Sequence, residues 1–142
     1  MKNLKESVAY NWFEEIWNNG DESLIDELIA PNCKAHGITP EGTQGPEAFR
    51  KFYNEFRSEY KDIHIELLDV VKERDCEVAL CDCKAVHIAS GKPVHFTGMT
   101  MMRNEFGKIA EAWNSYDFLT MYTQVGYTLT PPDLNSAGNE NS

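Results

Sequence analysis

One stretch near the end of the chain decides how the rest is interpreted: residues 107–117 read GKIAEAWNSYD. Its first two residues predict a turn and the next ones a strand, in which alternate side chains share a face as long as the strand contains no bulge. That spacing places Trp113 and Asp117 together. In a dry, concave setting the loss of hydration raises the proton affinity of a carboxylate, which predicts Asp117 as a general base beside a ring-lined pocket. The alternative is that Asp117 caps the helix that follows.

Three segments upstream of this stretch show the same strand-like alternation. They cover residues 63–73, 76–89 and 94–104. Short polar stretches follow the first two segments, at residues 74–75 and 90–93, and these predict hairpin turns. The back half of the chain is therefore expected to form four long antiparallel strands in sequence.

The front half of the chain shows helical spacing instead. Apolar side chains recur three or four apart over residues 3–18, and a shorter helix is predicted over 23–29. A third helix begins at Pro46, a favoured residue for a first helical turn, and runs through Arg57. Residues 33–45, rich in Gly, Pro and Thr, are expected to form the loop before it.

Helices followed by a strand meander predict an α+β fold, because the apolar helix faces need a sheet to cover them. The third helix presents a broad aromatic stripe formed by Phe49, Phe52, Tyr53 and Phe56. Long antiparallel strands that curve around such helices form a cone with an open mouth, and an apolar hollow with a few polar groups is the usual form of a small-molecule site. The expected architecture is a cone-shaped, curved antiparallel sheet wrapped around three N-terminal helices.

The composition restricts the number of domains and the class of partner. A chain of 142 residues with 42% apolar content suits one domain, expected over residues 1–126, with a polar C-terminal tail over 127–142. The 13 Lys and Arg against 23 Asp and Glu give a formal charge of -10, which repels nucleic-acid phosphates and anionic membranes. No apolar run is long enough to span a bilayer and the N-terminus lacks a secretory core, so we expect a cytoplasmic protein.

The four cysteines and four histidines do not form a metal-ligand pattern. Cys81 and Cys83 lie two apart in a predicted strand, whereas zinc-binding pairs are usually separated by about two to four residues on a turn. In a reducing compartment we expect free, buried thiols. His64 and His95 are expected on the solvent or interface side of their strands. The sequence therefore predicts no metal site.

Short motifs distributed along the chain resemble those of a known family. They are residues 17–21 (WNNGD), 28–31 (LIAP), His36-Gly37, 45–49 (GPEAF), 107–109 (GKI), Trp113, Asp117 and 124–126 (QVG). In their order and spacing they are similar to the SnoaL-like polyketide cyclases of the ester-cyclase type, which belong to the nuclear transport factor 2-like superfamily. The resemblance covers residues 8–126. It implies a cone-shaped α+β barrel that forms a homodimer through the outer face of its sheet.

The resemblance also implies a reaction. In these cyclases an aspartate at the position matching Asp117 acts as acid and base in an intramolecular aldol closure, without a metal or an organic cofactor. The matching positions that shape the pocket and bind the substrate are Trp17, Phe52 and His87. This sequence departs from the family at Thr100, where characterised cyclases carry a helper histidine.

The leading hypothesis is a cofactor-free enzyme of the cyclase, isomerase or lyase type that binds a small, mostly apolar carbonyl compound. Its predicted catalytic residues are Asp117 and His36, a loop histidine expected to meet Asp117 across the cavity mouth. The alternative for His36 is a surface loop position. The residues predicted to contact the substrate are Trp17, Phe52, His87, Thr100 and Trp113. The rival interpretations are a non-catalytic binding or carrier protein that uses the same hollow, and a dimeric scaffold.

Overall fold

The computed structural model describes residues 4–133, and its helices lie mainly in the front half of the chain. The helical segments are the 3-10 turns Leu4–Glu6 and Glu22–Leu24, α1 (Val8–Asn11) with its π-helical continuation Trp12–Asn18, α2 (Ile25–Leu28), α3 (Gly45–Glu59) and α4 (Phe118–Gln124). Ser7 caps α1, since its hydroxyl accepts a hydrogen bond from the backbone N–H of Tyr10. Within residues 4–133 no helix is both long and apolar enough to cross a membrane.

Six strands form one curved sheet that does not close on itself. They are β1 (Ile29–His36), β2 (Thr43–Gln44), β3 (Tyr60–Glu73), β4 (Cys76–His87), β5 (Pro93–Glu105) and β6 (Lys108–Tyr116). Their order is β2-β1-β6-β5-β4-β3, and every neighbouring pair is antiparallel except β1 and β6, which run parallel. The predicted α+β class and the meander of four long strands are confirmed.

The expected loop over residues 33–45 is wrong in part, because β1 occupies its beginning. Pro31 lies where the pairing of β1 with β6 shifts register, between Ile29 and Lys34, so its missing N–H removes no regular hydrogen bond of the sheet. The predicted second helix also ends one residue early, since Ile29 already belongs to β1. A parallel pairing with a strand so far along the chain leaves no local signal in the sequence.

The main core lies between the concave face of the sheet and the helical layer. Trp17 is at its centre and is 7% exposed. Its ring lies between 5.0 and 6.3 Å, centroid to centroid, from the rings on α3, namely Phe49, Phe52, Tyr53 and Phe56. The Tyr53 hydroxyl donates to the backbone carbonyl of Ile16 at 2.8 Å. The aromatic stripe predicted on the third helix therefore fixes that helix against the first.

A buried carboxylate joins the first helix to the sheet. Glu77 of β4 is 1% exposed and accepts hydrogen bonds from the backbone N–H groups of Val8 and Ala9, at 3.2 and 3.5 Å. The Asn104 side-chain amide also donates to it. These N–H groups have no partner within the helix, and the negative charge matches the positive end of the helix dipole. Glu77 thus anchors the start of α1 to the beginning of β4.

Candidate functional site

A cavity lies between the helical layer and the concave face of the sheet. It contains about 600 Å³ of empty space, including the part of its mouth that is open to solvent. Besides Tyr116, eight aromatic side chains line it: Trp12, Phe13, Trp17, Phe49, Phe52, Phe56, Phe96 and Phe118. Such a concave, mostly apolar hollow is the form that sites for small molecules usually take.

Polar residues of the wall lie on two strands: Asn114 and Tyr116 on β6, and the exposed Lys84 on β4. Asn114 and Tyr116 both line the cavity, and both contact the hydroxyl of Thr100 on the neighbouring strand. This hydroxyl donates to Asn114 Oδ1 at 2.9 Å and lies 2.7 Å from the hydroxyl oxygen of Tyr116. Asn114 Nδ2 donates to the backbone carbonyl of His36 at 2.9 Å, and the Tyr116 hydroxyl lies 3.8 Å from Cys81 Sγ. The result is a connected polar network along one wall of an aromatic hollow.

Two glycines make room for this network. Gly98 of β5 pairs directly with Tyr116, and a Cβ atom at Gly98 would lie 2.0 Å from Cδ1 of the Tyr116 ring. Gly37, which has a φ of +89°, follows His36 at the end of β1. A Cβ atom there would lie 1.9 Å from the backbone oxygen of Asn114. The positions of Asn114 and Tyr116 therefore depend on two places where no side chain is present.

Burial determines which polar groups of the cavity carry charge. It is the largest cause that holds the pKa of Tyr116 well above its ordinary value, so the phenol stays protonated. Burial also raises the pKa of the Cys83 thiol, which lines the cavity, and raises that of Cys81 to about 11. Protonated thiols are poor nucleophiles. These buried side chains thus offer neutral hydrogen-bonding groups to a ligand.

A bulge in β6 decides which of its side chains reach the cavity. The pairing with β5 shifts between Ile109 and Glu111, which leaves Ala110 as an extra residue. Ile109 belongs to the core before the bulge, and Ala112 belongs to it after the bulge. One extra residue inverts the alternation of side chains between the two faces. Alternate side chains that would share one face of an unbulged strand therefore lie on opposite faces before and after Ala110.

The bulge overturns the face assignment predicted from the sequence. The prediction placed Trp113 and Asp117 on the concave side, but from Ala112 onward the inward positions are those of Asn114 and Tyr116. Trp113 is 37% exposed, and Asp117 is also exposed. The expectation that Trp113 lines the cavity is wrong for the same reason.

Asp117 caps α4. Its carboxylate accepts from the backbone N–H of Thr120 at 3.0 Å and from the Thr120 hydroxyl at 2.6 Å. These hydrogen bonds, the side-chain one first, lower the pKa of Asp117 because they favour the charged form. The expectation of a raised proton affinity in a dry enclosure is wrong, and the helix-capping alternative is confirmed.

His36 lies on the outer face of the sheet with Trp113. The two rings stack with centroids 5.6 Å apart and planes inclined by 23°. His36 Nε2 lies 2.8 Å from Glu111 Oε2, and this hydrogen bond is the largest cause that lowers the pKa of Glu111. Since His36 contacts Glu111 and Asp117 contacts Thr120, the structure does not bring the two predicted catalytic side chains together.

The other predicted substrate contacts have different outcomes. Trp17 and Phe52 line the cavity. Thr100, which is 2% exposed, does not line it; it pairs with Asn114 and hydrogen-bonds to Asn114 and Tyr116. His87 does not line the cavity. Its Nδ1 atom lies 2.7 Å from Ser90 Oγ instead, and its ring centroid lies 5.3 Å from that of Tyr60. Within residues 4–133 no group of three or more His, Cys, Asp or Glu side chains is arranged to hold a metal ion.

The sequence-based interpretation missed Asn114 and Tyr116. A signal for them exists, because Ile109, Ala110 and Ala112 are all apolar and do not follow strict alternation. Two adjacent apolar residues in an otherwise alternating strand are compatible with a bulge between them. With that bulge in place, Asn114 falls on the core face.

Comparison with known proteins fits this architecture. The model of the SnoaL-like polyketide cyclases matches residues 7–125. The chain belongs to this family. The SnoaL-like fold accounts for the curved sheet and for the hollow between sheet and helices. No curated protein matches the chain at a significant level.

Several solved structures share the SnoaL-like fold. IdmH from Streptomyces antibioticus, a candidate polyketide cyclase, is 24% identical over 88% of this chain and 100% of its own, with a TM-score of 0.74. A candidate polyketide cyclase from Bacillus cereus ATCC 10987 is 27% identical over 88% of this chain and 85% of its own, with a TM-score of 0.75. A protein with a ketosteroid isomerase-like fold from Catenulispora acidiphila is 14% identical over 89% of this chain and 98% of its own, with a TM-score of 0.77.

Proposed function

We propose that this SnoaL-like protein is a cofactor-independent enzyme of the cyclase, isomerase or lyase type that acts on a small, mostly apolar carbonyl compound. Family membership supports the reaction type. The observation that carries the proposal is the aromatic cavity with hydrogen-bonding side chains on one wall, Asn114 and Tyr116. The ester-cyclase subtype and a cytoplasmic location belong to the same proposal and rest on the sequence.

Asp117 is the proposed acid and base of this reaction. It lies between Tyr116 and Phe118, which both line the cavity, and the proposal requires its side chain to rotate toward the cavity when the ligand binds. That rotation breaks the two hydrogen bonds from Thr120 that lower its pKa, and the freed carboxylate is the stronger base. It takes a proton from a carbon flanked by carbonyl groups and returns the proton to the alkoxide formed on ring closure.

The remaining site residues shape and orient the ligand in this proposal. Trp17 and Phe52 supply apolar wall. Thr100, which replaces the helper histidine of the family, orients the amide of Asn114 through its hydroxyl. In this proposal the backbone carbonyl of His36 accepts a hydrogen bond from the Nδ2 atom of Asn114, and the imidazole of His36 takes no part.

The test of Asp117 is turnover of a library of cyclisable diketones by the Asp117→Asn variant. The proposal predicts that turnover is lost while folding and ligand binding persist. Asp21→Asn is a matched control, because Asp21 also caps a helical turn, accepting from the backbone N–H of Ser23, but does not line the cavity. Undiminished turnover in Asp117→Asn, or an equal loss in Asp21→Asn, would refute the role of Asp117 in proton transfer.

A non-catalytic binding or carrier protein is the second candidate function. The observation that favours it is that none of the cavity-lining side chains among residues 4–133 is a carboxylate or an imidazole. A carrier predicts that ligands bind with the same affinity to the wild type and to Asp117→Asn and are recovered unchanged. Recovery of any converted ligand from the wild type excludes this candidate.

We also propose a homodimer in which the outer sheet face of one copy packs against that of a second copy. Exposed apolar side chains lie side by side there, since Leu80 pairs with Met99 and Met101 pairs with Trp113 in register across three strands. Sedimentation is expected to give twice the chain mass of 16.2 kDa. Met99→Glu is expected to shift this towards the monomer, whereas the same change at Leu129, which is exposed outside the sheet, is not. A concentration-independent mass of one chain would refute the dimer.

A further inference from the structure

We propose that Asn114 and Tyr116 together form the docking point for a carbonyl oxygen, so that the ligand is a flat, ring-bearing ketone that enters with its oxygen toward β6. The inference rests on the proposed function, because it specifies the ligand class of the same cavity. The two side chains lie two residues apart on one face of β6 and share the Thr100 hydroxyl as a hydrogen-bond partner. They are therefore held side by side at one wall of the hollow.

The side-chain amide of Asn114 has one hydrogen left for a ligand. Its Nδ2 atom carries two N–H bonds, of which one donates to the His36 carbonyl at 2.9 Å. Its Oδ1 atom accepts from the Thr100 hydroxyl at 2.9 Å. These two hydrogen bonds fix the orientation of the amide. The second N–H is then the donor that Asn114 offers to the cavity it lines.

The hydroxyl of Tyr116 supplies the second donor. The hydroxyl hydrogen of Thr100 is used toward Asn114, so the Tyr116 hydroxyl donates to Thr100 in this arrangement. Its other neighbour, Cys81 Sγ at 3.8 Å, is a weak acceptor. Rotation about the phenolic C–O bond therefore moves the O–H from Thr100 to a ligand oxygen. Because burial keeps the pKa of Tyr116 well above its ordinary value, this donor is present at neutral pH.

A carbonyl oxygen suits these two donors better than other oxygen groups do. It has two lone pairs and can accept from the Asn114 N–H and the Tyr116 O–H at once. An alcohol oxygen can accept from the same donors, but its own hydrogen then also has to be placed on a remaining lone pair of Asn114 Oδ1 or of the Tyr116 hydroxyl, a requirement that a carbonyl does not have. A carboxylate would lose its hydration in a cavity lined mainly by aromatic rings, and Lys84, the cation among the lining residues, is exposed to solvent. The same pair of donors would stabilise the enolate oxygen that forms when Asp117 removes a proton.

The matched ligands 1-indanone and indane test this inference, since they share a ring system and differ in the carbonyl group. Binding is measured from the indole N–H signals in ¹H–¹⁵N spectra. Trp12 and Trp17 line the cavity and report occupancy, and Trp113 on the outer face is an internal control. We expect 1-indanone to bind about tenfold more tightly than indane, as one or two neutral hydrogen bonds would give. The infrared carbonyl stretch of bound 1-indanone is expected to move to lower frequency.

The variant Tyr116→Phe removes one donor and keeps the ring. We expect it to bind indane as the wild type does, to lose most of its preference for 1-indanone, and to reduce the infrared shift. Cys81→Ala is the matched control, because it removes the other neighbour of the Tyr116 hydroxyl without removing a donor. It is expected to keep the preference, and an equal loss in both variants would mean that disturbed packing is the cause.

The outcomes separate this inference from the proposed function. Equal affinity of the wild type for 1-indanone and indane, or an unshifted carbonyl stretch, overturns the docking point while the apolar cavity stands. If neither compound perturbs the signals of Trp12 and Trp17, the cavity is not a small-molecule site, and the proposed function falls together with the inference. Neither comparison depends on the folding of a variant.

Discussion

Replacement of Gly98 by alanine places a methyl group where the Tyr116 ring lies. The new carbon would be 2.0 Å from Cδ1, 2.5 Å from Cγ and 2.6 Å from Cε1 of that ring. Ordinary contacts between carbon atoms are about 3.5–4.0 Å, so the ring must move by about 1.5 Å or the two strands must separate. Because Gly98 lies in a regular strand pairing, an alanine backbone is compatible with the site, and the steric conflict is the main effect.

The expected loss of stability follows from three contributions. Overpacking of a core contact costs about 1–3 kcal/mol. Displacement of the ring also breaks the 2.7 Å contact between the Tyr116 and Thr100 hydroxyls, a neutral hydrogen bond that contributes about 1 kcal/mol. Against this, replacement of glycine reduces the entropy of the unfolded chain and stabilises by about 0.4–1 kcal/mol. The net expectation is a destabilisation of about 2 kcal/mol, or a fall in Tm of about 8 °C for a domain of this size.

The assay is urea unfolding of Gly98→Ala in two backgrounds, with and without Tyr116→Leu. If the ring is the obstacle, the alanine destabilises the wild-type background and has little effect once the ring is gone, which gives a coupling energy of about 2 kcal/mol. Equal losses in the two backgrounds would refute the conclusion that Gly98 makes room for Tyr116. The preference for 1-indanone over indane should fall in Gly98→Ala, because the hydroxyl moves with the ring.

Three further outcomes follow from buried or capping groups. Glu77→Gln places an amide N–H opposite the donors that Glu77 accepts from, which are the backbone N–H groups of Val8 and Ala9 and the side-chain amide of Asn104. Urea unfolding should show that the free energy of unfolding falls by about 2 kcal/mol. An unchanged midpoint would contradict the anchor role. In the native protein Cys76 should react with a thiol reagent before Cys83, because both thiols have a raised pKa but Cys83 is buried and Cys76 is partly exposed; equal rates would contradict this order. Thr120→Val should raise the pKa of Asp117, followed by carboxyl NMR. A depressed pKa contributes stability that is lost as the pH falls from the unfolded-state pKa through the folded-state value, so in Thr120→Val the acid loss should be smaller and should end at a higher pH; an unmoved titration would contradict the cap.

Local patterns along the chain predicted most of the fold. Alternation over residues 63–73, 76–89 and 94–104 located three strands of the meander, and the spacing of rings located α3. β1 was missed because its stability comes from parallel pairing with β6, a contact between distant parts of the chain. A proline near the start of β1 also resembles a helix end followed by a loop.

The candidate site was predicted less well, because it depends on one bulge. Trp17 and Phe52 were named as pocket residues from the family resemblance, and helical spacing placed both on the apolar faces of their helices. Asp117 and Trp113 were assigned to the wrong face, since the extra residue Ala110 reverses the alternation of β6. Motif order identified the family but did not specify which side of the strand its aspartate occupies.

A crystal structure of the protein with 1-indanone bound tests the central claim most directly, namely that the face of β6 bearing Asn114 and Tyr116 binds the ligand. We predict the ketone between the aromatic rings, with its oxygen within hydrogen-bond distance of Asn114 Nδ2 and of the Tyr116 hydroxyl. A ketone oxygen that points away from β6, or a ligand that binds outside the cavity beside Trp113, would contradict the claim.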